Sequence, residues 1–174
     1  MWEKIRKIWK IKSLRKSVLF VLGMLVIFRL AAHIPIPGVD TEALGQFLAG
    51  NQILGLLNVF SGGTMENFSI VMLGIAPYIT ASIIFQLLTM VVPRLEELSK
   101  EGEAGQQKIN MYTRLSTVPL AFLQAFAMIQ LLTQSQNQII PDLNTYKLIT
   151  IMLTITAGTV FLMWIGELIT EKNI

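Results

Sequence analysis

The sequence has no cysteine, only one histidine and little charge, and each shortage excludes a class of protein. Without cysteine there is no disulfide framework, and His33 alone leaves no His/Cys cluster for zinc or copper. No paired carboxylates, nucleophilic triad or nucleotide fingerprint is present, so neither an enzyme nor a cofactor is expected. Of the 174 residues 53% are hydrophobic and 14% charged, against about 25% charged in an ordinary soluble domain. This balance excludes disorder and predicts a membrane protein.

The hydrophobic residues are concentrated in four long stretches. Crossing a hydrocarbon layer of about 30 Å takes about 20 mostly apolar residues. The stretches are 18–36, which contains Arg29, and the charge-free 70–92, 115–132 and 148–165. Because backbone groups in lipid must bond to one another, the sequence predicts helices that span a bilayer.

The distribution of lysine and arginine predicts the orientation of these spans. Seven basic residues precede the first stretch, four lie between the second and third, and one follows the fourth, whereas the other side has only Lys147. Basic residues favour the cytoplasmic side, so both ends of the chain are predicted there. The basic segment 1–17 is predicted either to lie in the inner membrane interface or to be an unstructured tail.

The second apolar stretch is interrupted at 74–77. Proline is tolerated in the first turn of a helix and costs about 3 kcal/mol in its interior. Two structures fit: a short helix from about 64 to 73 with a new helix beginning near Pro77, or one kinked helix. After the interruption, one helical face is predicted either to contact lipid or a neighbouring helix, or to form a hydrophobic ring that gates a pore. This face carries Ile75, Ile79, Ile83 and Gln86.

Two charged features also leave alternatives open. Arg29 inside the first span costs at least about 2.5–3.5 kcal/mol on insertion scales; its side chain either extends toward the outer interface or pairs within the bundle. Glu167, at the inner edge of the fourth stretch, is the acidic residue nearest to spans two to four. The connection 93–114 carries four acidic and four basic residues, which is typical of a solvated loop or of a docking surface for a cytosolic partner.

Several motifs, in this order and spacing, carry a resemblance to a known family over nearly the whole chain. They are Phe28-Arg29, IPIPGVD at 34–40, NVFSGG at 58–63, LGIAPYITASIIFQLL at 73–88, KEGE at 100–103 and FLMWIGE at 161–167. The chain resembles the amino-terminal half of bacterial SecY-type protein-conducting channels. The resemblance implies an all-α polytopic membrane protein with four transmembrane helices and a short re-entrant plug helix, like the first half of a ten-helix inverted-repeat fold.

The resemblance also implies roles for individual segments of a single membrane domain. The segments are the basic interfacial segment 1–17, spans 18–36, 75–92, 115–132 and 148–168, the plug 60–73 and the cytoplasmic loop 93–114. The plug residues are Phe60, Ser61, Gly62, Gly63, Thr64, Met65, Glu66, Asn67, Phe68 and Ser69. Ile75 and Ile79 match an aliphatic ring at the waist of the pore. Thr80, Ile83 and Ile84 match one wall of a lateral gate.

The implied function is that of the central subunit of the Sec translocation channel. Such a channel passes unfolded secretory polypeptides across the bacterial plasma membrane and membrane segments laterally into it. The implied partners are SecE, SecG, the motor SecA, the ribosome, signal sequences, nascent polypeptides and membrane lipids, with no direct contact to nucleic acid and no cofactor or metal.

Two departures from the family pattern qualify this interpretation. The chain ends at Ile174, where the family continues into a fifth span, so we expect a piece of a longer channel. Gln106-Gln107 replaces residues that are commonly basic in the family, which weakens electrostatic docking by the loop 93–114. Alternative functions are a small secondary transporter with broken helices and a membrane-anchored assembly scaffold.

Overall fold

The computed structural model describes residues 12–50, 52–60, 63–134, 139–140 and 143–171. Within these ranges the regular structure is α-helical, and an isolated antiparallel bridge joins Pro35 to Ser69. The helices are α1 (Lys12–Ala32), α2 (Thr41–Gly50), α3 (Gln52–Phe60), α4 (Ala76–Val91), α5 (Pro93–Lys100), α6 (Glu103–Thr133) and α7 (Thr145–Glu171). The prediction of an all-helical chain is therefore confirmed for the described residues. Most of the predicted interfacial segment, residues 1–11, lies outside them.

Length and composition qualify two of the described helices, α6 and α7, as membrane spans. They contain the predicted spans 115–132 and 148–168. The pair α4 and α5 is bent by 100° and makes a third candidate if it is counted as one span. Helix α1 is 21 residues long, but it carries basic residues near both ends and is not one of these candidate spans. The described part of the chain thus has two or three candidate spans, where the sequence predicts four.

Helix α1 ends at Ala32, four residues before the predicted limit of the first span. The reason is local, since the residue before each proline of 34–37 disfavours the helical conformation and the prolines have no N–H to donate. The backbone N–H of Ile36 donates instead to the carbonyl of Phe68 at 3.0 Å, and that of Ile70 donates to the carbonyl of Ile34 at 3.1 Å. The end of α1 is thereby tied to a distant part of the chain.

The connection 93–114, which the sequence predicts to be a cytoplasmic loop between two spans, is helical almost throughout. Val92 is extended and Pro93 begins α5, which explains the sharp bend after α4. Gly102, with φ +76°, separates α5 from α6. A Cβ placed on Gly105 would collide with the carbonyl oxygen of Leu98, so α5 and the start of α6 pack backbone to backbone. Mixed charge therefore marks short surface helices here.

Helix α6 packs between α4 and α7 and buries one residue in every four. The stripe consists of Gly105, Ile109, Thr113, Thr117, Ala121, Ala125 and Ile129. Small residues allow membrane helices to approach closely, and Ala81 of α4 is likewise fully buried. The rings of Phe85 and Tyr112 stack with centroids 6.4 Å apart. Helices α6 and α7 with α4 therefore form a packed frame.

Helices α2 and α3 are short, and the sequence reasoning did not predict them. The carboxylate of Asp40 accepts hydrogen bonds from the backbone N–H groups of Glu42 (3.0 Å) and Ala43 (3.1 Å), which caps the start of α2. Leu44 and Leu48 of α2 are buried in the main apolar core. Helix α2 covers one side of that core, and α3 packs against α2.

Candidate functional site

The residues between α3 and α4 do not form the short helix that the sequence predicts from about 64 to 73. Residues 63–75, here named the turn segment, form successive turns. Three of them, Gly63, Phe68 and Gly74, have φ values of +79°, +43° and +60°, in the left-handed region that an α-helix excludes. The backbone N–H of Met72 donates to the carbonyl of Ser69 at 3.0 Å, and that of Gly74 to Val71 at 2.8 Å.

The turn segment lies half-way along α7. Gly158 is the middle residue of this 27-residue helix, which is about 40 Å long, and a Cβ at Gly158 would collide with the carbonyl oxygen of Ile70. Non-helical backbone at the depth of a membrane is tolerated only where protein buries it or where it lines a cavity. Phe68, Val71 and Met72 are buried here, so the first of these conditions is met.

Phe68 is the largest of the fully buried side chains in the described residues. It belongs to an apolar cluster built from α2, the turn segment, α6 and α7. Members of that cluster include Ile36, Leu44, Met72, Ala125, Ile129 and Ile155. A left-handed backbone costs a residue other than glycine roughly 1–2 kcal/mol, which the burial of the ring offsets.

The predicted plug residues are divided between the core and the surface. Thr64, Phe68 and Ser69 are buried, whereas Glu66 and Asn67 are exposed. Phe60 is the last residue of α3, and Ser61 and Gly62 lie outside the described residues. Met65 is half-buried and Gly63 has the left-handed backbone described above.

Asn58 of α3 fastens the exposed part of the turn segment. Its amide nitrogen donates to Glu66 Oε2 at 3.2 Å, and its amide oxygen accepts from the backbone N–H of Glu66 at 3.1 Å. The backbone N–H of Gly63 also donates to the carbonyl of Asn58 at 2.9 Å. The turn segment is thus held at its start by α3 and at its middle by the end of α1.

The interruption before Pro77 is a complete break, as one of the two sequence alternatives predicts. Helix α4 begins at Ala76, with Pro77 in its first turn, where the missing N–H costs nothing. The backbone N–H of Ile79 donates to the carbonyl of Ile75 at 3.0 Å. The unbroken kinked helix is excluded for this stretch.

The apolar face of α4 that carries Ile75, Ile79 and Ile83, here named the isoleucine face, is left uncovered by the described elements. These three side chains are 47%, 47% and 51% exposed, whereas Pro77 and Ala81 on the opposite side are buried. Ile84 and Thr80 are exposed beside them, and the Thr80 hydroxyl donates to the carbonyl of Ala76 at 3.0 Å. The face therefore presents no unsatisfied hydroxyl from Thr80.

An ion pair that the sequence reasoning missed joins the amino-terminal half of α6 to the carboxyl-terminal part of α7. Arg114 Nε contacts Glu167 Oε1, and the Glu167 side chain is 22% exposed. Both residues stand at an edge of an apolar stretch, a signal that could have suggested their pairing. On α5, Lys100 Nζ lies 2.6 Å from Glu96 Oε1, and this hydrogen bond, together with the positive charge, lowers the pKa of Glu96.

A small apolar cavity lies within the described residues. The cavity between α2, the turn segment and α6 measures about 10 Å³ and is lined by apolar side chains such as Phe47, Met65 and Met128. This is room for about one water molecule. No group of three or more His, Asp or Glu side chains among the described residues lies close enough to hold a metal ion.

Long apolar helices around a buried, non-helical segment define a multi-pass α-helical membrane protein. Comparison with known proteins identifies its family: the SecY family model matches residues 69–174. Proteins named protein translocase subunit SecY are 47% identical in Streptomyces scabiei and 45% identical in Halalkalibacterium halodurans, in both cases over 100% of this chain. The one from Haemophilus influenzae is 44% identical over 93% of it. The chain belongs to the SecY family.

The matches cover less than half of the relatives. This chain spans 43% of the Streptomyces scabiei protein, 40% of the Halalkalibacterium halodurans protein and 37% of the Haemophilus influenzae protein. The isoleucine face and the turn segment therefore lie in a chain that spans less than half the length of these relatives.

Proposed function

We propose that the chain is the amino-terminal part of the central subunit of a Sec protein translocation channel in the bacterial plasma membrane. The observation that carries the proposal is the order of two features along the chain. A buried non-helical segment lies at half the height of α7, and an uncovered isoleucine face follows it directly in sequence. Membership of the SecY family supports the same function.

In this proposal Ile75 and Ile79 form part of a ring at the waist of the pore. A narrow apolar constriction resists water and ions when idle. Its side chains carry no charge or hydrogen-bonding group, so an extended polypeptide of any sequence slides past without being held. The exposure of these two residues, 47% each, supports the proposal because a ring residue faces space rather than a neighbouring helix of this chain.

Two further roles follow for the surrounding residues. The plug 60–73 blocks the path next to the ring, and the burial of Phe68 and Met72 against α6 and α7 supports this placement. Thr80, Ile83 and Ile84 form one wall of the lateral gate, through which signal sequences and membrane segments reach lipid. All three are exposed on α4, so the gate wall needs no rearrangement of the frame to be accessible.

The proposed topology has four spans at 18–36, 75–92, 115–132 and 148–168, with both ends in the cytoplasm. SecE, SecG, the motor SecA and the ribosome are its proposed partners, alongside nascent polypeptides and lipid. Four of the charged side chains of the connection 93–114 are engaged with one another, in the pairs Glu96–Lys100 and Glu101–Lys108. We therefore do not place the main docking surface for SecA or the ribosome on 93–114.

The test uses a complete subunit in which this chain replaces the matching part of the Streptomyces scabiei protein, reconstituted in a planar bilayer. We expect the double substitution Ile75→Ser and Ile79→Ser to raise idle ion conductance, because hydroxyl groups in the ring allow it to hydrate. Ile149→Ser is the control, since Ile149 of α7 is an isoleucine of similar exposure, 46%, away from α4. Conductance equal to that of the unsubstituted channel would contradict the ring.

A further inference from the structure

We infer that Gly158 is a positioning residue that seats the turn segment against α7 and so keeps the channel closed. The inference rests on the proposed function. A Cβ at Gly158 would collide with the carbonyl oxygen of Ile70 and would lie 2.7 Å from its carbonyl carbon and 3.3 Å from the amide nitrogen of Val71. All three are backbone atoms, so no side-chain rotation relieves the collision. Any larger residue must push the turn segment away by roughly 1.5–2 Å to regain an ordinary contact distance.

The turn segment has little freedom to move on its other side. The backbone N–H of Ile70, whose carbonyl faces Gly158, donates to the carbonyl of Ile34 at 3.1 Å. Two residues earlier, the carbonyl of Phe68 accepts from the N–H of Ile36 at 3.0 Å. The segment is therefore held between the end of α1 and the middle of α7. Displacement at Gly158 must strain or break these two hydrogen bonds.

The seat also contains groups that oppose it. Ser69, just before Ile70, and Thr159, just after Gly158, are fully buried, and their hydroxyls make no hydrogen bond to the described residues. Phe68 has a left-handed backbone, with φ +43°. Unsatisfied buried hydroxyls and backbone strain both lower the stability of the seated segment. Because these costs oppose the seated position, we expect one added methyl group at Gly158 to displace the turn segment from α7.

The experiment measures idle ion conductance of the complete channel described above. We expect Gly158→Ala to raise it several-fold. Gly166→Ala is the matched control on the same helix, because nothing lies within 4 Å of a Cβ placed there, and it should leave conductance unchanged. Deletion of residues 64–72 should raise conductance by itself, and Gly158→Ala should add nothing in that background.

The outcomes separate this inference from the proposed function. If Gly158→Ala leaves conductance unchanged while the deletion raises it, the role of Gly158 is wrong and the channel function stands. If neither the deletion nor the isoleucine substitutions change conductance, the proposed function fails. If Gly158→Ala prevents insertion, the deletion of 64–72 should restore insertion of the double variant, because the colliding backbone is gone. Failure to restore it would overturn the inference.

Discussion

Buried hydroxyl groups are accommodated differently in the helical frame and beside the turn segment. In α6, Thr113 and Thr117 donate to the carbonyl oxygens of Ile109 and Thr113, at 3.0 and 2.8 Å, so α6 satisfies these buried hydroxyls within its own helix. Beside the turn segment, the hydroxyls of Ser69 and Thr159 make no bond to the described residues. Such groups cost about 1–3 kcal/mol each. We therefore expect the turn segment to be held less stably than α6.

This difference matters because segments that move in function come from the less stable parts of a structure. The turn segment combines left-handed residues, the unsatisfied hydroxyl of Ser69 and one buried aromatic side chain, Phe68. Helices α6 and α7 carry none of these left-handed residues and are joined by the Arg114–Glu167 pair. Substitutions in the two regions should therefore differ in what they loosen.

The largest effect is expected from Phe68→Ala. Loss of a fully buried phenylalanine costs about 3–5 kcal/mol, and most of that loss should fall on the turn segment rather than on the frame. Amide hydrogen exchange of the complete channel should show Ile70 and Met72 exchanging about 100-fold faster or more. Phe126→Ala is the control, because Phe126 of α6 is 41% exposed. Equal acceleration of amide exchange at Ile70 and Met72 in both variants would contradict the expected difference in stability between the turn segment and the frame.

A smaller effect is expected from Glu167→Gln in the frame. Losing the charged partner of Arg114 should lower the stability of the α6–α7 pair by about 1–2 kcal/mol, the lower part of the usual range because Arg114 is half exposed. Thermal unfolding in detergent measures this loss. Lys108→Gln, which breaks the exposed pair with Glu101 at 3.6 Å, should have little effect. If Glu167→Gln raised idle conductance without lowering thermal stability, a purely structural role of the Arg114–Glu167 pair would be contradicted.

The smallest effects are expected from two threonine-to-valine substitutions with opposite signs. Thr159→Val removes an unsatisfied hydroxyl and should stabilise the seated turn segment by about 1 kcal/mol, which lowers idle conductance. Thr117→Val removes a satisfied hydroxyl of α6 and should destabilise the frame by about 0.5–1.5 kcal/mol. Conductance and thermal unfolding of the complete channel measure the two effects. If both substitutions changed stability in the same direction, the proposed difference between the two buried hydroxyls would be refuted.

The sequence predicted the features whose cause is local. Pro77 accounts for the start of α4, because a proline fits the first turn of a helix and not its interior. Hydrophobic length accounts for α6 and α7. The SecY family was also recognised correctly from its motifs. None of these features depends on which residues meet across the fold.

The features that were missed depend on tertiary contact or on rare backbone conformations. A phenylalanine seldom adopts positive φ, so nothing in the local pattern predicts Phe68 in a turn. The conformation of 63–75 is set by its packing against α6 and α7 and by its bridge to the end of α1. Gly158 is an ordinary glycine within an apolar stretch until Ile70 is placed beside it. The mixed charge of 93–114 does not distinguish a loop from short surface helices.

The backbone N–H of Ile70 donates to the carbonyl of Ile34, just after α1, and the carbonyl of Ile70 lies against Gly158 of α7. If the backbone of Ile70 moves away from one of these two residues, its position relative to the other residue changes as well. Within the proposed channel, we therefore expect any movement of α1 away from α7 to disturb both contacts of Ile70 together.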